Sequence, residues 1–395
     1  MSSVAVSVLP ERHAAPARDA VRVSVVIPCL NEAESIGQCV NAAQRVLDEH
    51  DLDGEVVVVD NGSDDGSGVL ARLAGARVVD EPRRGYGSAY LAGFAEARGD
   101  YIVMIDADLT YDFEEIPHFI RELGDGAELV MGNRMDAVQP GAMPMLSRIG
   151  NPLMSRFLNL LFRTPVRDTW CGLRALRRDV LPVLDLQSTG MELASEMVIR
   201  AARSGLEIRE LPIALHPREG VSKLSPLRDG WRSLRLMLVY HPNFLFLFPG
   251  AFIGAIGALL MLLVFAGASL AGRGFYIHTL IGGSLLVVVG TQLIGFGLCG
   301  RAYAVYQFGD RDPAFERWGR RIRLEHGLLL GLTFMAAGLA VGGVVVAHWI
   351  GRGLGSLADE RITILAATLI IVGVQVFFTA FLLSLLGLRR RGREA

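Results

Sequence analysis

Cysteine and strongly basic segments are scarce in this chain. Its 395 residues carry a formal net charge of −2 and only four cysteines, Cys29, Cys39, Cys171 and Cys299. The cysteines follow no zinc-ligand or disulfide spacing, which is consistent with a reducing compartment. No basic tract indicates nucleic-acid binding. Residues 1–20 lack the apolar stretch of a signal peptide, so we predict a disordered tail there.

Charged residues are missing from long stretches of the second half. The four stretches without Asp, Glu, Lys or Arg are Phe244–Gly272, Gly274–Gly300, Gly327–Gly351 and Ile362–Leu388. Each exceeds the roughly 20 residues that a helix needs to cross a bilayer. We therefore predict an all-α region of four transmembrane helices over residues 244–388, followed by a basic tail at 389–395. Buried core helices are the alternative for any single stretch.

The first half alternates apolar strand patterns with helical patterns. Strands are predicted at residues 21–28, 55–60, 76–80, 101–106 and 128–133. The segments between them have helical spacing or turn composition. Alternation of this kind predicts an α/β domain with a mostly parallel, doubly wound sheet over residues 21–225.

Two acids one residue apart follow the apolar run Tyr101–Ile105. A buried strand that ends near Asp106 would deliver Asp106 and Asp108 to the carboxyl edge of the sheet, where such sheets bind ligands. Side chains alternate along a strand, so Asp108 must turn back from the following loop. Paired carboxylates suit Mg²⁺ or Mn²⁺, with water and phosphate completing the shell. Solvated acids at a strand end are the alternative.

Two segments combine an apolar stripe with arginines. Residues 144–163 place Leu146, Ile149, Leu153, Phe157 and Leu160 on one helical face. Residues 226–243 have a similar pattern and lead into the first membrane run. Such helices either lie in a membrane interface or pack on the domain core. We expect a juxtamembrane linker at 226–243 and an interfacial helix or a core helix at 144–163.

Arginines also predict the orientation in the membrane. They cluster in residues 301–326 and 389–393, whereas the other two loops are short and carry few. The positive-inside rule then places both termini and the first domain in the cytoplasm.

Several motifs occur in an order that resembles family 2 glycosyltransferases of the GT-A fold. They are Val23–Glu32, Val57–Gly66, Arg84–Gly93 and Ile105–Asp108, with Gly132–Arg134, Asp168–Arg174 and Arg218–Lys223 resembling the polyprenyl-phosphate branch. That branch includes dolichyl-phosphate mannose and glucose synthases. The resemblance covers residues 21–225, and it implies an inverting, metal-dependent hexosyltransferase. The segment Leu109–Asp112 departs from the core family pattern.

The resemblance also assigns residues to roles. The nucleotide-sugar site would comprise Pro28, Asn31, Glu32, Asp60, Asn61, Gly85, Gly87 and Asp106. Asp106 and Asp108 would bind the metal. Phosphate groups would contact Arg134, Arg218, Ser222 and Lys223, and Asp168 is a further catalytic candidate beside Asp106, Asp108 and Arg134. Glu192 and Glu196 are possible acids because they share a helical face. Turn capping is the alternative for Asn61, and a simple turn for the two glycines.

The expected reaction moves glucose from UDP-glucose, preferred over a GDP-sugar, to polyprenyl phosphate at the membrane. Tetramers are plausible by the same resemblance. Two other functions stay open. A processive polysaccharide synthase would need Gln-x-x-Arg-Trp, but Ala314 precedes Arg317-Trp318 where glutamine is required. A lipid-sugar flippase would normally need ionisable residues along a transport path within the spans, where only His278 and His348 occur, both near the ends of their runs. A structural partner with an inactive transferase domain is the remaining alternative, against which the intact Asp106 and Asp108 argue.

Overall fold

The computed structural model describes residues 23–139, 142–217, 225–270, 273–307, 315, 317, 324–354 and 360–388. The chain forms two compact units, Met1–Met237 and Leu238–Ala395. Several predicted features lie outside the described residues: the 1–20 tail, the 389–395 tail, and Arg218, Ser222 and Lys223.

The first unit contains a seven-stranded sheet with the order β3-β2-β1-β4-β6-β5-β7. The strands are β1 Val23–Cys29, β2 Gly54–Asp60, β3 Arg77–Asp80, β4 Tyr101–Met104, β5 Leu129–Asn133, β6 Arg174–Arg177 and β7 Ile208–Pro212. Only β6 runs antiparallel to its neighbours, β4 and β5. The predicted mostly parallel α/β sheet is therefore confirmed.

The helices of this unit each bury part of their surface, and the first four pack against the sheet. They are α1 Ile36–Glu49, α2 Ser67–Leu73, α3 Tyr86–Glu96, α4 Ile116–Gly124, α5 Met145–Phe162, α6 Leu181–Leu184, α7 Leu193–Ser204 and α8 Pro226–Tyr240. In α1 the buried residues include Ile36, Val40, Ala43 and Leu47. These positions recur at the three- and four-residue spacing of one helical face, which explains why the helix forms there.

The carboxyl ends of β1, β2 and β4 meet at one edge of the sheet. The parallel register pairs Cys29 with Asp60 and Val26 with Met104. Strand β4 ends at Met104, two residues before the predicted end. One further backbone bond continues the pairing, from Ile105 N to Val26 O at 3.2 Å. Leu109 then adopts a left-handed conformation with φ 57°, so the chain turns sharply after Asp108.

Helix α5 packs through the face opposite its apolar stripe. Ser155, Leu158 and Leu161 are buried. The stripe residues Leu146, Ile149, Leu153 and Leu160 are exposed, which is not the arrangement of a helix that buries this stripe in the core. In α8, Ser233 and Met237 are buried, whereas Leu227 and Trp231 are exposed. Both helices thus present apolar side chains outward.

The second unit consists mainly of four long apolar helices. They are α9 Phe248–Phe265, preceded by a π-helical turn at Asn243–Leu247, α10 Ile277–Gln307, α11 Leu324–Gly351 and α12 Glu360–Leu388. All four are long and apolar enough to cross a membrane. The prediction of four such helices is confirmed.

The boundary between the first two membrane helices differs from the prediction. The first run was expected to extend to residue 272, but α9 ends at Phe265 and Gly267 adopts φ 66°. A glycine in this conformation commonly ends a helix. Two short strands, β8 Ser269–Leu270 and β9 Arg273–Gly274, follow before α10 begins at Ile277. Hydrophobicity alone does not distinguish this turn from a helix.

Candidate active site

Asp106 and Asp108 lie just after β4 at the carboxyl edge of the sheet. Asp106 is partly exposed and receives a long contact of 3.5 Å from the Tyr90 hydroxyl. Asp108 is 8% exposed, and its Oδ1 accepts bonds from the Thr110 backbone N–H and hydroxyl at 3.2 and 2.6 Å. Carboxylate oxygens are the donors that Mg²⁺ prefers. Within the described residues no group of three or more His, Cys, Asp or Glu could complete a cation shell, so phosphate and water would be needed.

Arg134 and Asp168 form a buried ion pair with two parallel bonds. Arg134 Nε lies 2.7 Å from Asp168 Oδ2, and Nη2 lies 2.9 Å from Oδ1. The Arg134 backbone N–H also donates to Oδ2 at 3.1 Å. The structure therefore brings two of the predicted residues together as each other's partners. A bidentate pair fixes the plane of the guanidinium, which limits the directions in which it can bind an anion.

Tyr111 joins this ion pair to the loop beside Asp106. Its phenol oxygen accepts bonds from Gly172 N at 2.8 Å and from Arg134 Nη1 at 3.2 Å. Burial raises the pKa of Tyr111 well above its ordinary value, so the phenol is protonated at neutral pH. Burial likewise raises the pKa of Cys171 to about 12, which makes this thiol a poor nucleophile.

Arg174 is a second buried arginine at the same edge, where β6 begins. Its guanidinium donates to the backbone carbonyls of Cys171 and Ala194, both at 2.9 Å, and to that of Thr169. Neither Arg174 nor Tyr111 was among the predicted site residues. Arg174 was visible only as part of the family motif, and no signal set Tyr111 apart except its place in the segment that departs from the family pattern.

The loop of residues 168–172 connects the acids to both amphipathic helices. The Ser155 hydroxyl of α5 donates to Thr169 Oγ1 at 3.0 Å and accepts from Thr169 N at 3.1 Å. The Trp170 indole N–H donates to the Ser233 hydroxyl of α8 at 3.2 Å. At its other end, Gly172 lies so close to Asp106 that an added Cβ would collide with the carboxylate.

A second set of predicted residues lies at the ends of β1 and β2. Asn61 is buried, and its Nδ2 donates to the carbonyls of Glu81 and Arg83 at 2.9 and 2.8 Å. Its Oδ1 accepts from Gly85 N at 2.7 Å, so this side chain holds the following loop in shape. Asp60 Oδ1 accepts from Ser63 N at 2.9 Å. This bonding corresponds to the turn-capping alternative for Asn61.

Asn31 and Glu32 lie opposite that loop, just after β1. Asn31 is exposed with φ 52°, and its Oδ1 accepts from Asp64 N at 2.9 Å. The Glu32 backbone N–H donates to the Ser67 hydroxyl at 2.9 Å, while Pro28 is partly exposed in β1. These bonds tie the loop after β1 to the loop after β2, at the position predicted for the nucleotide.

Gly85 and Gly87 do allow a close approach at the start of α3, but the chain itself makes it. A Cβ at Gly85 would collide with the Thr189 carbonyl, and one at Gly87 with the Ser188 carbonyl. The Thr189 carbonyl also accepts from Ser88 N at 3.1 Å. Backbone of residues 188–189 therefore occupies the space beside these two glycines, which were predicted to belong to the nucleotide-sugar site.

The two candidate glutamates have different environments. Glu196 is 1% exposed, accepts from Ser188 N at 2.8 Å, and lies 3.8 Å from Arg200. It therefore supports the 187–188 loop instead of lying on a wet surface. Glu192 precedes α7 and is partly exposed, and its buried Oε2 has no hydrogen-bond partner in the described part of the chain. Of the two, only Glu192 has an unsatisfied carboxylate oxygen for a ligand.

Comparisons with known proteins match both units. Residues 24–184 match the family model described as glycosyl transferase family 2. Residues 298–387 match the glycosyltransferase family 2 C-terminal transmembrane region. The chain is thus an integral membrane protein whose transmembrane region matches that family as well.

Two relatives agree with this assignment, and one solved structure with lower similarity is also matched. The low-salt glycan biosynthesis hexosyltransferase Agl6 of Haloferax volcanii is 41% identical over 92% of this chain and 89% of its own length. The dolichyl-phosphate hexose transferase of the same organism is 37% identical over 53% of this chain and 89% of its own length. A crystal structure of glucosyl-3-phosphoglycerate synthase from Mycobacterium tuberculosis with Mn²⁺ and UDP is 22% identical, covers 56% of this chain and 80% of that one, and has a TM-score of 0.47. With the family match in both units and a relative similar over nearly its whole length, the chain belongs to glycosyltransferase family 2.

Proposed function

We propose that this enzyme transfers a hexose from a nucleoside diphosphate sugar, with UDP-glucose preferred, to polyprenyl phosphate. The products are a polyprenyl-phospho-sugar and a nucleoside diphosphate. Support comes from two relatives, one named a hexosyltransferase and one a dolichyl-phosphate hexose transferase. The arrangement of acids and arginine at the sheet edge fits a reaction between two phosphorylated substrates.

The observation that carries this proposal is the loop of residues 168–172. It touches Asp106 through Gly172, and it is hydrogen-bonded to α5 through Thr169 and to α8 through Trp170. Both helices expose apolar side chains beside arginines, a combination that favours binding at a lipid surface. A site built against such helices suits an acceptor whose phosphate must reach the acids while its chain stays in lipid.

Asp106 and Asp108 would hold a Mg²⁺ or Mn²⁺ ion on the donor diphosphate. When bound, the ion supplies Lewis-acid neutralisation of the leaving diphosphate. The donor set fits such an ion because hard cations are commonly held by one or two carboxylates together with substrate phosphate. Asn31, Glu32, Asp60 and Asn61 would bind or shape the nucleotide pocket on the β1–β2 side.

The acceptor needs no strong base. A phosphate monoester has a second pKa of about 6 and is largely dianionic at pH 7. Its oxygen attacks the anomeric carbon while the bond from that carbon to the diphosphate oxygen breaks, which inverts the configuration. The protein then has to hold two anions close together. Arg134 is proposed to do so, with Arg218, Ser222 and Lys223 as further phosphate ligands. Asp168 orients Arg134, and Glu192 stays the acid candidate of the two glutamates.

The proposed location is the cytoplasmic face of the membrane, with both termini on that side. The arginines of residues 301–326 and 389–393 support this orientation. A homotetramer belongs to the same proposal, and light scattering of the detergent-solubilised protein tests it.

The reaction is tested by incubating the full-length protein in detergent with Mn²⁺, dolichyl or undecaprenyl phosphate, and a panel of labelled nucleotide sugars. We expect label from one donor in the organic phase, lost on addition of EDTA. NMR of the product then gives its anomeric configuration. Polymer formation from donor alone would instead support a polysaccharide synthase. Lipid-sugar scrambling in vesicles without transfer would support a flippase.

A further inference from the structure

Tyr111 lies inside the site, and the proposed reaction assigns it no role. It is 5% exposed and belongs to the loop that follows Asp108. The ring packs near the Gly172 backbone, where an added Cβ at Gly172 would be 3.1 Å from Tyr111 Cε2 and would collide with Asp106 Oδ2. The phenol ring and the Asp106 carboxylate are therefore separated by little more than one glycine.

The hydrogen bonds of Tyr111 leave one group unused. A phenol oxygen has two lone pairs to accept with and one hydrogen to donate. Both partners of Tyr111, Gly172 N–H and Arg134 Nη1–H, are donors, so they occupy the two acceptor positions. Among the described residues no acceptor receives the hydroxyl hydrogen. A buried donor without a partner is costly, which makes a ligand acceptor favourable here.

Arg134 has unused donors at the same place. A guanidinium has five N–H hydrogens. Two of them donate to the Asp168 carboxylate and one donates to Tyr111. The other two N–H hydrogens have no acceptor among the described residues. The charge of Arg134 is balanced by Asp168, and both Tyr111 and Asp168 restrict its movement. Tyr111 and Arg134 thus present hydrogens, not acceptors, beside the acid proposed to bind the cation.

We propose that Tyr111 is a phosphate-binding residue, whose hydroxyl hydrogen donates to a phosphate oxygen of one substrate while its oxygen holds Arg134 and Gly172 in place. This inference rests on the proposed function. The phosphate belongs either to the donor diphosphate or to the lipid acceptor, and both present the same anionic oxygen. Because its position is fixed from two sides before substrate binds, the hydroxyl would pay little ordering entropy on binding.

The test compares Tyr111→Phe with Tyr101→Phe in the full-length protein. Tyr101 is a matched control because it is a buried tyrosine at the other end of β4 from Asp106. Calorimetry measures the affinity for UDP with Mn²⁺, and steady-state rates give kcat and the KM for polyprenyl phosphate. Thermal unfolding in detergent reports whether each variant is folded.

We expect Tyr111→Phe either to weaken UDP binding or to raise the KM for polyprenyl phosphate, by about 10-fold or more, as loss of a hydrogen bond to a charged group does. Weaker UDP binding assigns the hydroxyl to the donor, whereas a raised KM for the lipid alone assigns it to the acceptor. Tyr101→Phe should leave both values unchanged. Wild-type values for both in a folded Tyr111→Phe protein would overturn the inference.

Failure of the proposed function can be told apart from failure of the Tyr111 inference. In the first case the wild-type protein would transfer no sugar to lipid, although UDP binding is still measured. If Tyr111→Phe does not fold, electron cryomicroscopy of the wild-type protein with Mn²⁺, UDP and polyprenyl phosphate decides the question. A Tyr111 Oη within about 3.2 Å of a phosphate oxygen supports the inference. Separation from every phosphate oxygen by more than about 4 Å overturns it.

Discussion

The two sides of the sheet edge use polar side chains in different ways. On the β1–β2 side, Asn61 bonds only to backbone groups, two carbonyls and one N–H. On the β4–β6 side, Arg134 bonds to both Asp168 and Tyr111, and the pair of opposite charges is buried. The first side is a scaffold for loops, and the second is an arrangement of charges and donors.

This difference predicts different consequences of substitution. Loss of a side chain that binds backbone loosens a loop, and the cost is that of a few neutral hydrogen bonds. Loss of one member of a buried charge pair leaves the other charge uncompensated, which costs more. Loss of the charge of a proposed metal ligand should affect the reaction more than the fold, because Asp108→Asn keeps an oxygen that can accept the bonds from Thr110.

The largest expected effect is that of Asp108→Asn on the β4 side. Asparagine keeps an oxygen for Thr110 but removes the charge, so we expect a folded protein whose transfer rate falls about 1,000-fold. Initial rates at saturating donor and lipid measure it, with Asp125→Asn on the exposed end of α4 as the control. Activity close to that of the control, with Mn²⁺ dependence intact, would remove Asp108 from the metal site.

Asp168→Asn should affect stability as well as activity. Arg134 would lose its buried counter-charge, at a cost of about 3–5 kcal/mol in the free energy of unfolding. Chemical denaturation of the detergent-solubilised protein measures this loss. In the double variant Arg134→Gln/Asp168→Asn, stability should recover in part while transfer stays low. A single variant as stable as the wild type would contradict the importance of the pair.

On the β2 side, Asn61→Ala should have a smaller effect that is confined to the donor. Three bonds that shape residues 81–85 are lost, so we expect the KM for the nucleotide sugar to rise about 10-fold, equivalent to about 1.4 kcal/mol, with kcat little changed. Asn41→Ala on the exposed face of α1 is the control. A fall in kcat without a change in KM would erase the contrast between the two sides.

The sequence predicted the parts of this comparison that depend on local pattern. Apolar runs gave β1, β2, β4 and β5, and the positions of Asp60 and Asp106 at their carboxyl ends followed from them. Strand β6 was missed because Arg174–Arg177 has an arginine at each end and no apolar run. Arg174 is nevertheless buried, since backbone carbonyls satisfy its guanidinium, and those carbonyls come together only in the folded chain.

The partners of the site residues were also beyond sequence patterns. Arg134 and Asp168 are 34 residues apart, and nothing in their spacing indicates that they pair. The closeness of Thr189 to Gly85 is likewise a contact between distant segments. For α5 the sequence pattern left an interfacial helix and a core helix open, and it could not show that Leu158 on the opposite face is buried while the apolar stripe is exposed.

The smallest expected effect concerns the apolar stripe of α5, which belongs to the β4–β6 side through Ser155 and Thr169. In vesicles with anionic lipid, Ile149→Asn/Leu153→Asn should raise the KM for polyprenyl phosphate several-fold, because less apolar surface enters the interface. The affinity of this double variant for UDP with Mn²⁺ should not change. Leu73→Asn on α2 is the matched control, since Leu73 is also exposed and apolar but lies on the β1–β2 side. An equal rise in the lipid KM for the control would mean that the apolar stripe of α5 does not bind the membrane interface in particular. The two sides of the sheet edge would then differ in charge alone.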